Sequence, residues 1–426
     1  MRSRQGVQAK ARDRKSETSH RNQPFIKNLI LMSTILSFPL SQQAQAPASS
    51  ERPDAIRAYL QPLVDNHTIA GAVTLVATPD HTLYLQSMGY RDLAERAQMP
   101  ANAMFWIAST SKPMTVTAFM MLADEGKVSL NDPVEKFLPE FHGQLVRVAA
   151  AGDKQNGQAA SSAQASHQLV AAAHPILVRE ILSHTSGLPF KSQAQPGALD
   201  ALSLKDSVLT FAAEPLMFQP GTSYSYSNEG IDTAARIIEV VSGMPYEKFI
   251  QQRLFDPLGM KDTTFWPDAE QISRMAETYK LDPATKDLVK VHISQLTYPL
   301  DDRQRFPMPA GGLFSTAADV SKFCQMILNG GTLNGKRYIS ASSLHAMTTV
   351  QNGGMEKQVY GFGWGISKTG FGHGGANKNA MDIDTTTNRI FIFMVQQDGP
   401  WGTPSGDAMI PALEKLADDL VSHPAR

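Results

Sequence analysis

Short strand-like apolar segments lie toward both ends of the chain, and apolar positions follow a helical period between them. Gly71–Ala77 and Thr82–Met88 read as two strands of a hairpin joined at Pro79-Asp80. Ahead of them, Ile56, Tyr59, Leu60, Leu63 and Val64 mark one face of a helix within residues 50–70. Toward the other end, Tyr360–Ile366, Phe371–Asn377, Ala380–Asp384 and Ile390–Val395 read as strands, and Leu413, Leu416 and Leu420 share one face of a last helix. In between, Ser109–Glu125 reads as a helix ended by Gly126, Val178–Leu182 as a short one, and Glu229–Ser242 as an amphipathic one closed by Gly243. Thr316 can cap a further helix running to Leu328, with Asp319 at its third position. The pattern predicts an α+β chain: one sheet built from both chain ends, flanked by helices, with a mainly helical lobe inserted. Residues 53–425 form a single domain in this reading, with an α/β part at about 53–105 and 300–425 and a helical part at about 106–299. Residues 149–174, rich in Ala, Gln, Ser and Gly, read as an exposed flexible insertion.

Composition narrows the picture. With 426 residues, 42% apolar, 19% charged and a net charge of −1, the chain has an ordinary globular composition and no basic face for nucleic acid. The beginning is different. Residues 1–27 carry eight Lys/Arg against two acids, Leu29–Leu40 is apolar, and Ala44-Gln45-Ala46-Pro47-Ala48 follows. This order predicts a secretory signal peptide over residues 1–48, cleaved after Ala46 or Ala48, and a periplasmic or secreted protein with no integral membrane segment after processing. An uncleaved anchor is the alternative, for which the apolar run is short. A single cysteine, Cys324, excludes an internal disulfide and, on its apolar helical face, reads as a buried thiol.

The chemistry sits elsewhere. No Gly-x-Ser-x-Gly elbow occurs, and no metal-ligand spacing such as His-Glu-x-x-His or Cys-x-x-Cys, so no metal or cofactor is expected. Ser109-Thr110-Ser111-Lys112 is the single Ser-x-x-Lys, at the start of a predicted helix. Residues three apart share a helix face, which puts the Lys112 amine within reach of the Ser109 hydroxyl. Burial and a helix N-terminus lower a lysine pKa, and an unprotonated amine can activate serine. The alternative is a solvated helix face; the apolar setting of Phe105-Trp106-Ile107-Ala108 and the helix that follows argues against it.

Phe105-Trp106-Ile107-Ala108-Ser109-Thr110-Ser111-Lys112-Pro113 resembles the nucleophile segment of the serine β-lactamase and penicillin-recognising hydrolases, in the branch similar to class C enzymes that includes D-aminopeptidases, D,D-peptidases and family VIII esterases. Leu182-Ser183-His184-Thr185-Ser186-Gly187-Leu188-Pro189, Pro309-Ala310-Gly311-Gly312-Leu313-Phe314-Ser315-Thr316 and Pro257-Leu258-Gly259-Met260 also resemble this family. The resemblance implies a β-lactamase/transpeptidase-like fold with an antiparallel sheet, and a Tyr-x-Asn element whose phenol moves protons. Tyr226-Ser227-Asn228, just before a strong helix, fits it better than Tyr338-Ile339-Ser340. Asn228 would hold a polar substrate group or else cap the helix. The third family element lines the groove from a strand. Two triplets compete for it, Lys368-Thr369-Gly370 and His373-Gly374-Gly375. The first falls where a hairpin turn is expected, so the second is assigned to the groove. By the same resemblance, the N–H groups of Ser109 and Ala376 form the oxyanion hole, Gly374 and Gly375 let substrate lie against the backbone, and His373 takes the place of the family lysine.

Together these readings predict an exported serine hydrolase with Ser109, Lys112 and Tyr226 as catalytic residues, forming an acyl-enzyme. His373-Gly374 in place of Lys-Thr removes a carboxylate-binding hydroxyl and a fixed charge, which favours carboxylic esters. D-aminopeptidase or D,D-peptidase activity and β-lactam hydrolysis are the alternatives within the class. A non-catalytic binding protein of the same fold is the alternative outside it. The partner is a small ester, amide or peptide.

Overall fold

The computed structural model describes residues 54–149, 167–195, 197–354 and 359–423. The predicted signal peptide and most of the predicted insertion lie outside the described residues. The sheet uses β1 (Gly71–Ala77), β2 (Thr82–Asp92) and β3 (Ala97–Gln98) from one end of the chain. From the other end come β4 (Gly365–Ile366), β5 (Gly370–Gly374), β6 (Ala380–Asp384) and β7 (Arg389–Met394). Their order across the sheet is β4-β5-β6-β7-β1-β2-β3, and every neighbouring pair is antiparallel. The two chain ends join where β1 meets β7, with Val73 opposite Met394 and Ala77 opposite Ile390.

Five longer helices frame the sheet and the site: α1 (Ala55–Asp65), α2 (Ser111–Asp124), α3 (Asn228–Ser242), α4 (Ala317–Leu328) and α5 (Met409–Ser422). Side chains of β7 alternate between two cores. Ile390 and Ile392 belong to the cluster that includes Val320 and Phe323 of α4. Phe391 and Phe393 belong to the cluster of Leu60 on α1 and Leu413 on α5. A strand covered on both faces is apolar throughout, and each such side chain contributes about 1.5–3 kcal/mol on burial.

The helix termini follow their sequence signals. Thr316 accepts from the Asp319 N–H at the start of α4, and Gly243 ends α3 in the left-handed region at φ +69°. Ser227, not Asn228, caps α3, accepting from the Gly230 N–H at 3.1 Å.

Four predicted boundaries move. The predicted strand Tyr360–Ile366 is strand only at β4, because Gly363 turns the chain at φ +77° against Val116. The predicted strand Phe371–Asn377 ends at Gly374 and gives way to a turn. The helix predicted from Ser109 begins at Ser111; Ala108–Thr110 form a 3-10 turn ahead of it. The insertion predicted at 149–174 is shorter, because residues 167–171 form a strand antiparallel to Leu145–Ala149. Cys324 is fully buried on α4, and burial raises its thiol pKa.

Candidate active site

The serine is set in a segment held from two sides. Phe105–Trp106 pairs with Phe314–Ser315, and the Ile107 N–H donates to the Leu313 carbonyl at 2.9 Å. The Trp106 indole N–H donates to the Gly311 carbonyl at 2.7 Å. On the other side, the Asn379 amide donates to the Trp106 carbonyl at 2.8 Å. Gly375 lies so close that a Cβ there would sit 2.7 Å from the Ile107 carbonyl oxygen. Between these clamps Ala108 adopts φ +46°, an uncommon conformation for a residue with a side chain. Ser111 stabilises the bend by donating its hydroxyl to the Ala108 carbonyl at 2.6 Å. Ser109 emerges half-buried from this turn.

Lys112 is wholly buried. Its Nζ donates to Ser109 Oγ at 3.1 Å, to Asn228 Oδ1 at 2.7 Å and to the Ala310 carbonyl at 2.7 Å. Burial pulls its pKa down from the usual lysine range, while the nearby Asp232 pushes it back up. Ala310 links the two charged groups, since its N–H donates to Asp232 Oδ1 at 2.9 Å. Asp232 is raised by its own burial, and the Ala310 N–H and Lys112 oppose that rise. Asn228 and Asp232 are four residues apart on α3, so one helix face supplies both.

Tyr226 reaches the site from the stretch before α3. Its ring centroid lies 4.7 Å from Lys112 Nζ. Burial raises its phenol pKa, and a hydrogen bond with Ser109 works in the opposite direction. The hydroxyl also lies 3.4 Å from His373 Nε2 on β5. Burial, and secondarily Lys112, hold the His373 imidazole down at about 3, so it is neutral at ordinary pH. His184 packs against Tyr226 and Tyr360, with ring centroids 4.6 and 4.7 Å away. It holds φ +62°, and its Nδ1 accepts the Ser227 N–H at 3.2 Å. A cavity of about 470 Å³ is lined by Tyr360, His373, Gly374 and Trp401 among others, and Ser109 is not part of its lining.

All eight candidate residues fall in or beside one place. Lys112 donates to Ser109 and Asn228, its Nζ lies over the Tyr226 ring, and the Tyr226 hydroxyl lies 3.4 Å from His373 Nε2. Gly374 and Ala376 are exposed on either side of Gly375, which backs on the serine's segment. Lys368 sits in the exposed link between β4 and β5. The second tyrosine candidate, Tyr338, instead donates its hydroxyl to the Pro257 carbonyl at 2.8 Å. Asp232, Ala310, Tyr360 and Asn379 were not singled out individually from the sequence. Asp232 left a local signal there in its spacing of four from Asn228, and Ala310 one in the Pro309–Thr316 stretch. Among the described residues no cluster of His, Cys, Asp or Glu could hold a metal ion, and no helix is long and apolar enough to cross a membrane.

Comparison with known proteins places this geometry. An uncharacterized protein of Mycobacterium tuberculosis is 33% identical over 303 residues, covering 70% of this chain and 71% of the relative. The lovastatin esterase of Penicillium rubens is 27% identical over 287 residues, 64% of this chain and 68% of that enzyme. Among solved structures, EstCE1, described as a hydrolase with promiscuous acyltransferase activity, aligns with a TM-score of 0.68 at 20% identity, covering 86% of this chain and 97% of that one. The Beta-lactamase family matches residues 56–412. With its large antiparallel sheet beside a helical lobe, the chain belongs to the beta-lactamase family and is a serine hydrolase of that fold.

Proposed function

We propose that the chain is an exported serine carboxylesterase that works through an acyl-enzyme. The observation that carries this reading is the buried Lys112 amine 3.1 Å from the half-buried Ser109 hydroxyl. Lys112, its ammonium form disfavoured by burial, takes the Ser109 proton as Oγ attacks the ester carbonyl carbon. The N–H groups of Ser109 and Ala376 donate hydrogen bonds to the developing oxyanion. As the tetrahedral intermediate collapses, the C–O bond to the leaving group breaks and Tyr226 delivers a proton to the departing alkoxide. Lys112 returns the proton to Tyr226. A water molecule then attacks the acyl-enzyme in the same way, releasing the carboxylic acid and restoring Ser109.

Esters are favoured over anionic β-lactams and peptide C-termini because Gly374 has no hydroxyl and His373 carries no charge near neutrality. The similarity to a lovastatin esterase points the same way. Replacing Ser109 with Ala should abolish hydrolysis of p-nitrophenyl butyrate by the purified protein; retained turnover defeats the assignment. Comparing kcat/KM on short-chain esters, nitrocefin and D-alanyl peptides tests the substrate class, and a higher value on either of the last two replaces the esterase reading. The order of the first 48 residues supports export. Sequencing the mature N-terminus tests it, with cleavage expected after Ala46 or Ala48.

A further inference from the structure

We infer that Tyr360 is a positioning residue: its phenol occupies the single lone pair that His373 offers, and so leaves the Tyr226 hydroxyl to Ser109. The inference rests on the acyl-enzyme reading above. It starts from the tautomer of His373. Nδ1 lies 2.8 Å from the Gly374 carbonyl oxygen, which can only accept. Nδ1 therefore carries the hydrogen, and in the neutral ring Nε2 is an acceptor with one in-plane lone pair. Two phenols approach that nitrogen, Tyr360 at 3.0 Å and Tyr226 at 3.4 Å. One lone pair accepts one strong hydrogen bond, and the shorter contact belongs to Tyr360.

Tyr360 has the stronger need for this acceptor. Its side chain is fully buried, and a buried hydroxyl left unpaired is costly. Its backbone is fixed on both sides: its N–H donates to Asn352 Oδ1 at 3.2 Å, and its carbonyl accepts the Gln351 N–H at 2.8 Å. Its ring packs against His184 and stands edge-on to Tyr226. The Tyr360 hydroxyl is thus presented to Nε2 by a rigid frame. The Tyr226 hydroxyl, with only the longer 3.4 Å approach to Nε2, is left free to turn to Ser109, whose hydroxyl already acts to lower the Tyr226 pKa. Were Nε2 vacant, it would draw the Tyr226 proton away from the serine and set the phenol in the wrong direction. His373 in this arrangement is a filled acceptor rather than a base.

Tyr360→Phe removes the hydroxyl and keeps the ring, so packing is preserved. With p-nitrophenyl butyrate as substrate, kcat should fall by about 10- to 100-fold, part of what a general acid–base group supplies, with KM little changed. The rate at which a fluorophosphonate probe labels Ser109 should fall by the same factor. In a His373→Ala background there is no lone pair to occupy, so adding Tyr360→Phe should slow labelling less than two-fold. This double-mutant cycle separates positioning from packing. An unchanged kcat in Tyr360→Phe overturns the inference. So does an equal loss of labelling rate in both backgrounds, which is the pattern of a packing role. Labelling of Ser109→Ala by the probe would instead overturn the underlying acyl-enzyme reading.

Discussion

Asp232 and Glu229 stand three residues apart on α3, and both carboxyls are buried. Asp232 accepts the Ala310 N–H and lies within the influence of Lys112, and both oppose the rise that burial causes. Glu229 has no such help. Among the described residues neither of its oxygens has a hydrogen-bond partner, and the charges that act on it, Glu214 and Asp232, are both negative. Its pKa rises to about 9, so it stays protonated at neutral pH. Burial is common to the two acids; the partner decides what each one does. Neighbouring turns of one helix thus hold a buried charge that acts as a counterweight to Lys112 and an acid that folding keeps neutral.

The comparison can be broken at three points. The largest effect is expected from Lys112→Met, which removes the base and leaves Asp232 without its cation. kcat should fall by about 10²- to 10⁴-fold, and near-native turnover would end the lysine's role. Next, Asp232→Asn keeps an acceptor for the Ala310 N–H and removes the negative charge. Without that charge the Lys112 pKa falls further, so the unprotonated amine persists to lower pH. The acid limb of kcat/KM should move down by about one pH unit, and a limb that stays put would separate Asp232 from Lys112. A limb near neutrality cannot come from His373, which is held at about 3.

The smallest effect on turnover, and the clearest on stability, is expected from Glu229→Gln. Its folded-state pKa lies above its unfolded value near 4.5. The folded protein therefore holds a proton that the unfolded chain releases. Stability from this group is complete below the unfolded pKa and is lost as pH rises toward 9. Glutamine removes that slope. Melting curves should show a gain of about 1–3 kcal/mol at pH 8 and much less at pH 5, with hydrolysis within two-fold of wild type. An equal gain at both pH values would mean that the carboxyl charge is not the cause.

Local spacing made the lysine legible and left its counterweight obscure. Ser109 and Lys112 are three residues apart, and their spacing survives a shift of the helix start from Ser109 to Ser111. Lys112 bonds Asn228 across 116 positions and Ala310 across 198, and no local pattern encodes such pairings. His184 belongs to a quoted family stretch and Tyr360 to a predicted strand, yet their ring contacts with Tyr226 exist only in three dimensions. The strand pattern succeeded where both faces are covered, as in β1 and β7. It failed over Tyr360–Trp364, where glycine and aromatic residues alternate like a strand but Gly363 takes positive φ. Alternation reports which side chains are apolar and is blind to the sign of a backbone angle.

Gly375 and Asn379 press on the segment that carries the serine, and they arrive long after it in the chain. A polypeptide emerging from the ribosome displays residue 109 early, along with a hairpin whose neighbour β7 is still unmade. Contacts of such long sequence separation form late in folding. The half-finished product has its nucleophile in hand but neither the turn that braces it nor the strand that carries His373. If the proposed site is the working one, the brace around Ser109 is therefore complete only with the last stretch of translation.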